Sequence, residues 1–260
     1  MKKMSLWGFI LLCLTSICFT ACGGDDSNDS PSTLTVNPGA ISLSYEETKQ
    51  LSSAGATSWF SENEFVATVD NTGLVKGGHV GTTNVFASNG NAMGKCAVTI
   101  APKHDLYDTP IIEWGVSMNT IRSKEAHELL SSSSTTSLIY DYSKNGHTAV
   151  LLYGFENNQL NFVSVMMNLS DYTNAGDYLM ERYQPISADE TNYRILFIDA
   201  LTIDKAKNII GLQADEVSNK TVTVVAYMQK TDASKVSALN RSAVNHNINI
   251  PEEILSVFKK

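Results

Sequence analysis

The side chains that could do acid, base or metal chemistry are scattered along the sequence. The five histidines stand far apart, mostly in predicted turns or on polar faces, and none has the spacing that places two imidazoles on one helix face. Carboxylate pairs such as Glu62 and Glu64 are close only along the chain, whereas glycoside chemistry needs two carboxyl groups facing each other at ~5 to 10 Å. The sequence therefore contains no recognisable catalytic, metal-binding or cofactor-binding motif, and we predict neither a metal nor a cofactor.

The bulk composition limits the classes of partner. A net charge of -8 and a pI near 5.1 argue against nucleic acid, because binding to phosphates draws on a cluster of Lys and Arg. With 43% apolar and 18% charged residues, the chain has the composition of a folded protein. Its 260 residues predict two domains of ordinary size.

The N-terminus carries the features of a removable signal. Lys2 and Lys3 precede an apolar run at 6–19 that is too short for a membrane-spanning helix. Thr20-Ala21-Cys22 followed by Gly23-Gly24 resembles a bacterial lipoprotein processing site. The resemblance implies a signal peptide at 1–21, lipidation of Cys22, and attachment to a membrane through that lipid.

Residues 22–32 have the composition of a flexible tether, rich in Gly, Asp, Ser and Asn. Asp25-Asp26 resembles the acidic signal that sends certain Gram-negative lipoproteins to the outside of the outer membrane. A solvated linker is the alternative. We therefore expect an outer-membrane lipoprotein that is exposed at the cell surface. A location on the periplasmic face of the outer membrane is the alternative.

Cys13 and Cys18 lie in the predicted leader and Cys22 is the predicted lipidation site, so Cys96 is the one cysteine of the predicted domains. It lies in an alternating run at 95–100, which indicates a buried strand thiol that behaves as a small hydrophobe.

Residues 33–101 show short alternating runs separated by turn formers, which is typical of an all-β sandwich. The run Asp70-Asn71-Thr72-Gly73 joins two of them, and Asn and Gly tolerate the backbone angles of a tight turn.

The same region resembles the group 2 bacterial immunoglobulin-like domain. WFSEN at 59–63, VATVD at 66–70, GLVKG at 73–77 and GTT at 81–83 occur in the order of that family. One departure is Glu46-Glu47-Thr48, where the family commonly has Gly before Thr, so the first hairpin is expected to differ. The resemblance implies an immunoglobulin-like fold and a non-catalytic stalk or adhesive module.

A second domain is predicted at 111–260, after a proline-bracketed linker at 102–110. A helix capped by Ser117 is expected to continue through Leu130 into a serine loop at 131–134. Strands are expected at 137–142, 148–155, 161–167, 193–198 and 221–228, and helices at 172–183, 202–210, 232–239 and 251–258. The pattern predicts an α+β domain whose antiparallel sheet has helices on one face.

Four aromatic residues are candidates for ligand binding in this domain. Tyr140 and Tyr142 share one face of a predicted strand, and Tyr107 and Trp114 lie near the boundary between domains. Their rings could stack on a sugar or a peptide, or they could pack under the helices.

Three functions fit these features. The first is a non-catalytic binding or adhesion protein, with the N-terminal module as spacer and the second module binding an extracellular glycan or protein. The others are a hydrolase acting on polysaccharide or envelope material through carboxylates, and an envelope assembly or inhibitor protein.

Overall fold

The computed structural model describes residues 33–132, 135–189, 191–217, 220–230, 256 and 258. The predicted signal peptide, the tether with Cys22, the predicted helix at 232–239 and most of that at 251–258 lie outside these residues.

The N-terminal module is the predicted β sandwich. One sheet has the strand order β1-β7-β6-β3 and the other β2-β5-β4. The strands are β1 (Ala40–Leu43), β2 (Thr48–Gln50), β3 (Ser58–Ser61), β4 (Ala67–Val69), β5 (Leu74–Gly77), β6 (Gly81–Ser88) and β7 (Met93–Ile100). Strand β7 alternates exposed and buried residues along its whole length, and its inward side includes Cys96, Val98 and Ile100. This alternation places one face of the strand in the core and leaves the other in water.

The structure contains the tight turn that the sequence predicts at Asp70–Gly73. Asp70 Oδ1 accepts hydrogen bonds from the Thr72 and Leu74 amides at 2.8 and 3.0 Å, and Gly73 has a φ of 85°. At the departure from the family, Glu46 has a φ of 64° and pairs with Lys76. A position that favours glycine is thus occupied by a residue with a side chain.

Among the described residues, the C-terminal module contains an eight-stranded antiparallel sheet and two short helices. Its elements are α1 (Met118–Lys124), β8 (Leu129–Ser132), β9 (Ser137–Asp141), β10 (Ala149–Glu156), β11 (Gln159–Asn168), α2 (Tyr172–Met180), β12 (Gln184–Asp189), β13 (Arg194–Ile198), β14 (Asn208–Val217) and β15 (Lys220–Gln229). The strand order is β12-β13-β14-β15-β11-β10-β9-β8. The chain therefore forms a helix and a four-stranded meander twice, and the halves meet where β11 pairs with β15.

Both helices pack on the same face of this sheet, as predicted. Ile121 of α1 and Ala175 and Leu179 of α2 belong to the core on that face. The opposite face has a second apolar cluster, which includes Val150, Leu152, Val224 and Phe258.

Two secondary-structure predictions for this module are wrong. The first helix ends at Lys124, and Leu129 and Leu130 begin the edge strand β8, each more than a third exposed. The predicted helix at 202–210 is instead a 3-10 turn, Ile203–Lys205, followed by strand β14. A strand buried on both faces has a continuous apolar run, so its period cannot be distinguished from that of a buried helix.

The segment predicted as a linker contributes to the C-terminal core. Leu106 and Tyr107 are 3% and 1% exposed and belong to the cluster under the helices. Residues 103–116 thus form a strap across the helix-bearing face, although the predicted domain ranges themselves stay a prediction.

Candidate functional site

The four aromatic candidates lie mostly inside the C-terminal module. Tyr107, Tyr140 and Tyr142 are at most 3% exposed, whereas Trp114 is half-buried. The Tyr107 hydroxyl lies 2.9 Å from that of Tyr227, and Trp114 Nε1 donates to Asn208 Oδ1 at 2.6 Å. These positions favour the packing alternative over an exposed stacking platform. A binding role for the four residues stays a prediction.

A buried carboxylate is the centre of a polar cluster that includes one of these tyrosines. Glu125 follows α1 directly, and its side chain is only 3% exposed. Its Oε2 accepts hydrogen bonds from the hydroxyls of Tyr142 and Tyr153 at 2.9 and 2.8 Å. Tyr142 directly follows β9 and Tyr153 lies in β10. The carboxylate therefore joins the end of α1 to the sheet.

The other oxygen of Glu125 binds a histidine. His127 Nδ1 lies 2.6 Å from Glu125 Oε1, and the backbone amides of Ala126 and His127 donate to the same oxygen at 2.9 and 3.2 Å. The imidazole also stacks on Tyr142, with 4.0 Å between ring centroids. The ring of His127 is therefore fixed in both position and orientation.

The cluster continues to the surface as a row in which carboxylates alternate with nitrogen-bearing side chains. His127 Nε2 lies 3.2 Å from Asp108 Oδ2, and Lys144 Nζ donates to Asp108 Oδ1 at 2.6 Å. Lys144 also lies 2.6 Å from Asp105 Oδ1. We call His127, Asp108, Lys144 and Asp105 the polar row, and its two aspartates are more than half exposed.

The hydrogen bonds of the cluster favour ionised carboxylates. Burial acts to raise the pKa of Glu125, but the hydrogen bonds from His127, Tyr153 and Tyr142 outweigh it and lower the pKa below its usual value. The pKa of Asp108 is lowered chiefly by its hydrogen bond to Lys144. Burial raises the pKa values of Tyr142 and Tyr153, so both phenols stay protonated and donate to Glu125.

The geometry allows binding more readily than catalysis. A buried carboxylate that orients an imidazole is half of a general-base arrangement. However, the ring nitrogen that would take a proton, His127 Nε2, faces the Asp108 carboxylate. The row instead offers fixed donors and acceptors at the surface, which suit a ligand rich in hydroxyl or amide groups.

Sequence reasoning missed Glu125, His127, Tyr153, Asp108 and Lys144. Their contacts join the end of a helix, two strands and the strap, and hydrogen-bonded partners are up to 42 positions apart along the chain. The available signal was weak: a Glu and a His two residues apart, where the predicted helix gave way to a strand. In the parts of the chain that the structure describes, no group of three or more His, Cys, Asp or Glu side chains could hold a metal ion.

Within the same described ranges, no helix has both the length and the apolarity needed to cross a membrane.

Comparison with solved structures gives weak similarities over much of the chain. The structure of surface layer protein SbsC, domains 4-9, is matched at 13% identity and a TM-score of 0.23, over 78% of this chain but only 27% of that one. The structure of the S-layer protein SbsC, domains 5-6, is matched at 13% identity and a TM-score of 0.24, over 77% of this chain and 86% of that one. Scores this low do not establish a shared fold.

No curated protein matches the chain. Residues 29–100 match the family described as bacterial Ig-like domain (group 2). The family resemblance of the N-terminal module is thereby confirmed over these residues.

Proposed function

We propose that this chain is a lipid-anchored lipoprotein, exposed at the cell surface, that acts as a non-catalytic binding or adhesion protein. The observation that carries the proposal is the position of the bacterial Ig-like domain, which begins a few residues behind Cys22 and its lipoprotein-like motif. A lipid anchor, a short tether and a β-sandwich form a stalk, because each element moves the next away from the membrane.

The C-terminal module is the part that binds. The polar row lies on the surface of this module, and the buried Glu125 fixes His127 at its inner end. A ligand pays less ordering entropy when its partner groups are already fixed. An extracellular glycan, or a protein surface rich in polar groups, has the chemistry that this row would recognise.

The binding claim can be tested with the full chain in detergent micelles. The solubilised chain would be applied to an array of immobilised extracellular polysaccharides and glycans. It would also serve as bait in a pull-down of proteins from the surfaces of intact cells. Lys144→Ala should weaken binding about tenfold, since it removes a charged donor from the row. Lys76→Ala is a matched control, because Lys76 is also ion-paired and partly exposed but lies on the Ig-like module. A blank array together with an empty pull-down would refute the binding function.

The lipid anchor has a separate test. Cells fed a palmitate analogue should label the wild-type chain, and Cys22→Ala should abolish the label and release the protein from membranes. Equal labelling of the two chains would exclude Cys22 as the lipidation site.

A second candidate is a hydrolase acting on polysaccharide or envelope material. The pairing of Glu125 with His127 favours it, since a carboxylate orients the imidazole at 2.6 Å. Hydrolysis of candidate polymers should then fall about 100-fold in His127→Gln. Activity that survives this substitution would exclude the pair as its source.

A further inference from the structure

The two modules meet at a contact that we call the joint, formed by 78–80 of the Ig-like module, the start of the strap at 103–104, and 180–184 at the end of α2 and just beyond it. The Val80 amide donates to the Glu181 carbonyl at 2.7 Å, which is a hydrogen bond between the modules. Just beside it, the Gly78 amide bonds to Val66 inside the Ig-like module at 2.8 Å. The joint is thus continuous with the backbone hydrogen bonds of the sandwich.

Glu181 also binds the strap through its side chain, which is 4% exposed. Its carboxylate accepts hydrogen bonds from the Lys103 and His104 amides at 3.0 to 3.1 Å, and from His104 Nδ1 at 3.0 Å. Arg182 Nη2 donates to the His104 carbonyl at 3.1 Å. One residue of the C-terminal module therefore contacts both the sandwich and the chain that leaves it.

A second buried titratable residue faces the joint from the sandwich. His79 is 4% exposed and lies between the rings of Phe65 and Tyr45, with centroid distances of 4.2 and 5.9 Å. Burial lowers the pKa of its ring, and this outweighs the hydrogen bonds to the Met180 backbone and the Gln184 side chain, which act to raise the pKa. Its Nδ1 is buried and has no hydrogen-bond partner among the residues that the structure describes. The neutral ring fits this place, whereas a cation would carry an unsatisfied N–H there.

We infer that the joint is an acid-sensitive coupling, rigid while His79 is neutral and opened when the proton taken up at Nδ1 places a buried cation, with an N–H that has no acceptor, between the modules. At neutral pH the two modules then move as one body and present the polar row in a fixed orientation. Below the titration of His79 the C-terminal module reorients about the strap. The inference does not depend on which ligand the module binds.

The groups around His79 do not remove this effect. Glu46 lies on the same side of the sandwich and attracts a charged ring, but Lys76 neutralises it. The Glu181 carboxylate is already occupied by the strap. His104 also faces acidic groups, since its ring nitrogens lie 3.0 Å from Glu181 Oε1 and 3.9 Å from Asp177 Oδ2. Its side chain is 40% exposed, whereas His79 is buried, so a charge on His79 would be the more poorly solvated of the two.

The direction of the pH effect follows from the site. Burial lowers the pKa of His79 below its ordinary value. A histidine with a depressed pKa in the folded state contributes its full stability above the unfolded pKa of ~6.5, and loses it as the pH falls through the folded pKa. The joint should therefore hold at physiological pH and open in mild acid.

Hydrogen exchange of the Val80 amide tests the inference directly in the full chain. Protection relative to the intrinsic exchange rate should be high at about pH 7.5 and fall about tenfold or more by about pH 5. The Gly78 amide is the internal control, because its bond lies within the sandwich, and its protection should not change. His79→Gln should keep the Val80 protection at both pH values, while His104→Gln should leave the acid loss in place.

Three results would overturn the inference: pH-independent protection of Val80 in the wild type, low protection at both pH values, or an acid loss that persists in His79→Gln. If His79→Gln lacks Val80 protection even at neutral pH, titration of the His79 imidazole in the wild type tests the inference instead. The midpoint of the His79 ring signals must coincide with the midpoint of the Val80 loss, and separate midpoints would contradict the proposal.

Discussion

A glutamate ends each of the two helices described in the C-terminal module, and the two glutamates contact different parts of the molecule. Glu125 caps α1 and Glu181 caps α2, so they hold corresponding positions in the two helix-plus-meander halves. Each side chain is at most 4% exposed, and each lies within 3.0 Å of a histidine Nδ1. A carboxylate at a helix C-terminus opposes the helix dipole, so each depends on its hydrogen-bond donors.

The donors differ in origin. Glu125 takes two from Tyr142 and Tyr153, which belong to its own module, whereas Glu181 takes them from the strap and contacts the Ig-like module through its carbonyl. The buried glutamate at the helix end therefore stabilises the interior of the C-terminal module in the α1 half, whereas in the α2 half it joins that module to the Ig-like module.

The largest effect should come from Glu125→Ala. This change leaves two phenols and an imidazole without their acceptor, and it should cost about 3 to 5 kcal/mol of unfolding free energy. Urea unfolding followed by tyrosine fluorescence measures it. Glu128→Ala is the matched control, because Glu128 is exposed and only three residues away. Equal losses in the two variants would show that the Glu125 cluster does not stabilise the module.

Glu181→Ala should cost less overall, about 1 to 3 kcal/mol, because the core of each module stays intact. Its specific result is loss of coupling, so one unfolding transition in calorimetry should separate into two. Asp177→Ala serves as control, since Asp177 lies one turn earlier on the same helix and is 55% exposed. A single unchanged transition in Glu181→Ala would mean that the modules are coupled elsewhere.

Acid should act on the two clusters in separate pH ranges. The folded pKa of Glu125 is lowered, so its contribution is present above the unfolded pKa of ~4.3 and is lost as the pH falls through the lower folded value. The joint should open at higher pH, through His79. Circular dichroism in Glu125→Gln should show a less stable module with a weaker dependence on acid. The same acid midpoint and slope as the wild type would contradict this assignment.

Tyr107→Phe should cost about 1 kcal/mol, because it removes the 2.9 Å hydrogen bond between the buried hydroxyls of Tyr107 and Tyr227. Thermal unfolding measures the loss, and ligand binding should not change if Tyr107 is a core residue. Weaker binding at unchanged stability would restore Tyr107 as a ligand-binding residue.

The smallest effect is expected for Lys144→Ala. Its two aspartate partners are more than half exposed, so the unfolding free energy should fall by only about 0.5 kcal/mol. A loss comparable to that of Glu125→Ala would show that the polar row is structural, and would remove it as a binding surface.

The sequence predicted the Ig-like module well because its information is local. Alternation in β7 and the Asp70–Gly73 turn are set by neighbours along the chain. The C-terminal module was harder, since β14 is buried on both sides and has no alternation to distinguish strand from helix. Glu125, Glu181 and His79 were not identified because their roles depend on contacts between distant segments, which no local spacing reveals.

Protease treatment of intact cells is the decisive measurement for a surface-exposed and lipid-anchored protein. Added protease should degrade the wild-type chain while a periplasmic marker survives, and Cys22→Ala should leave no protein on the cells to degrade. A chain that resists protease until the outer membrane is broken would contradict surface exposure.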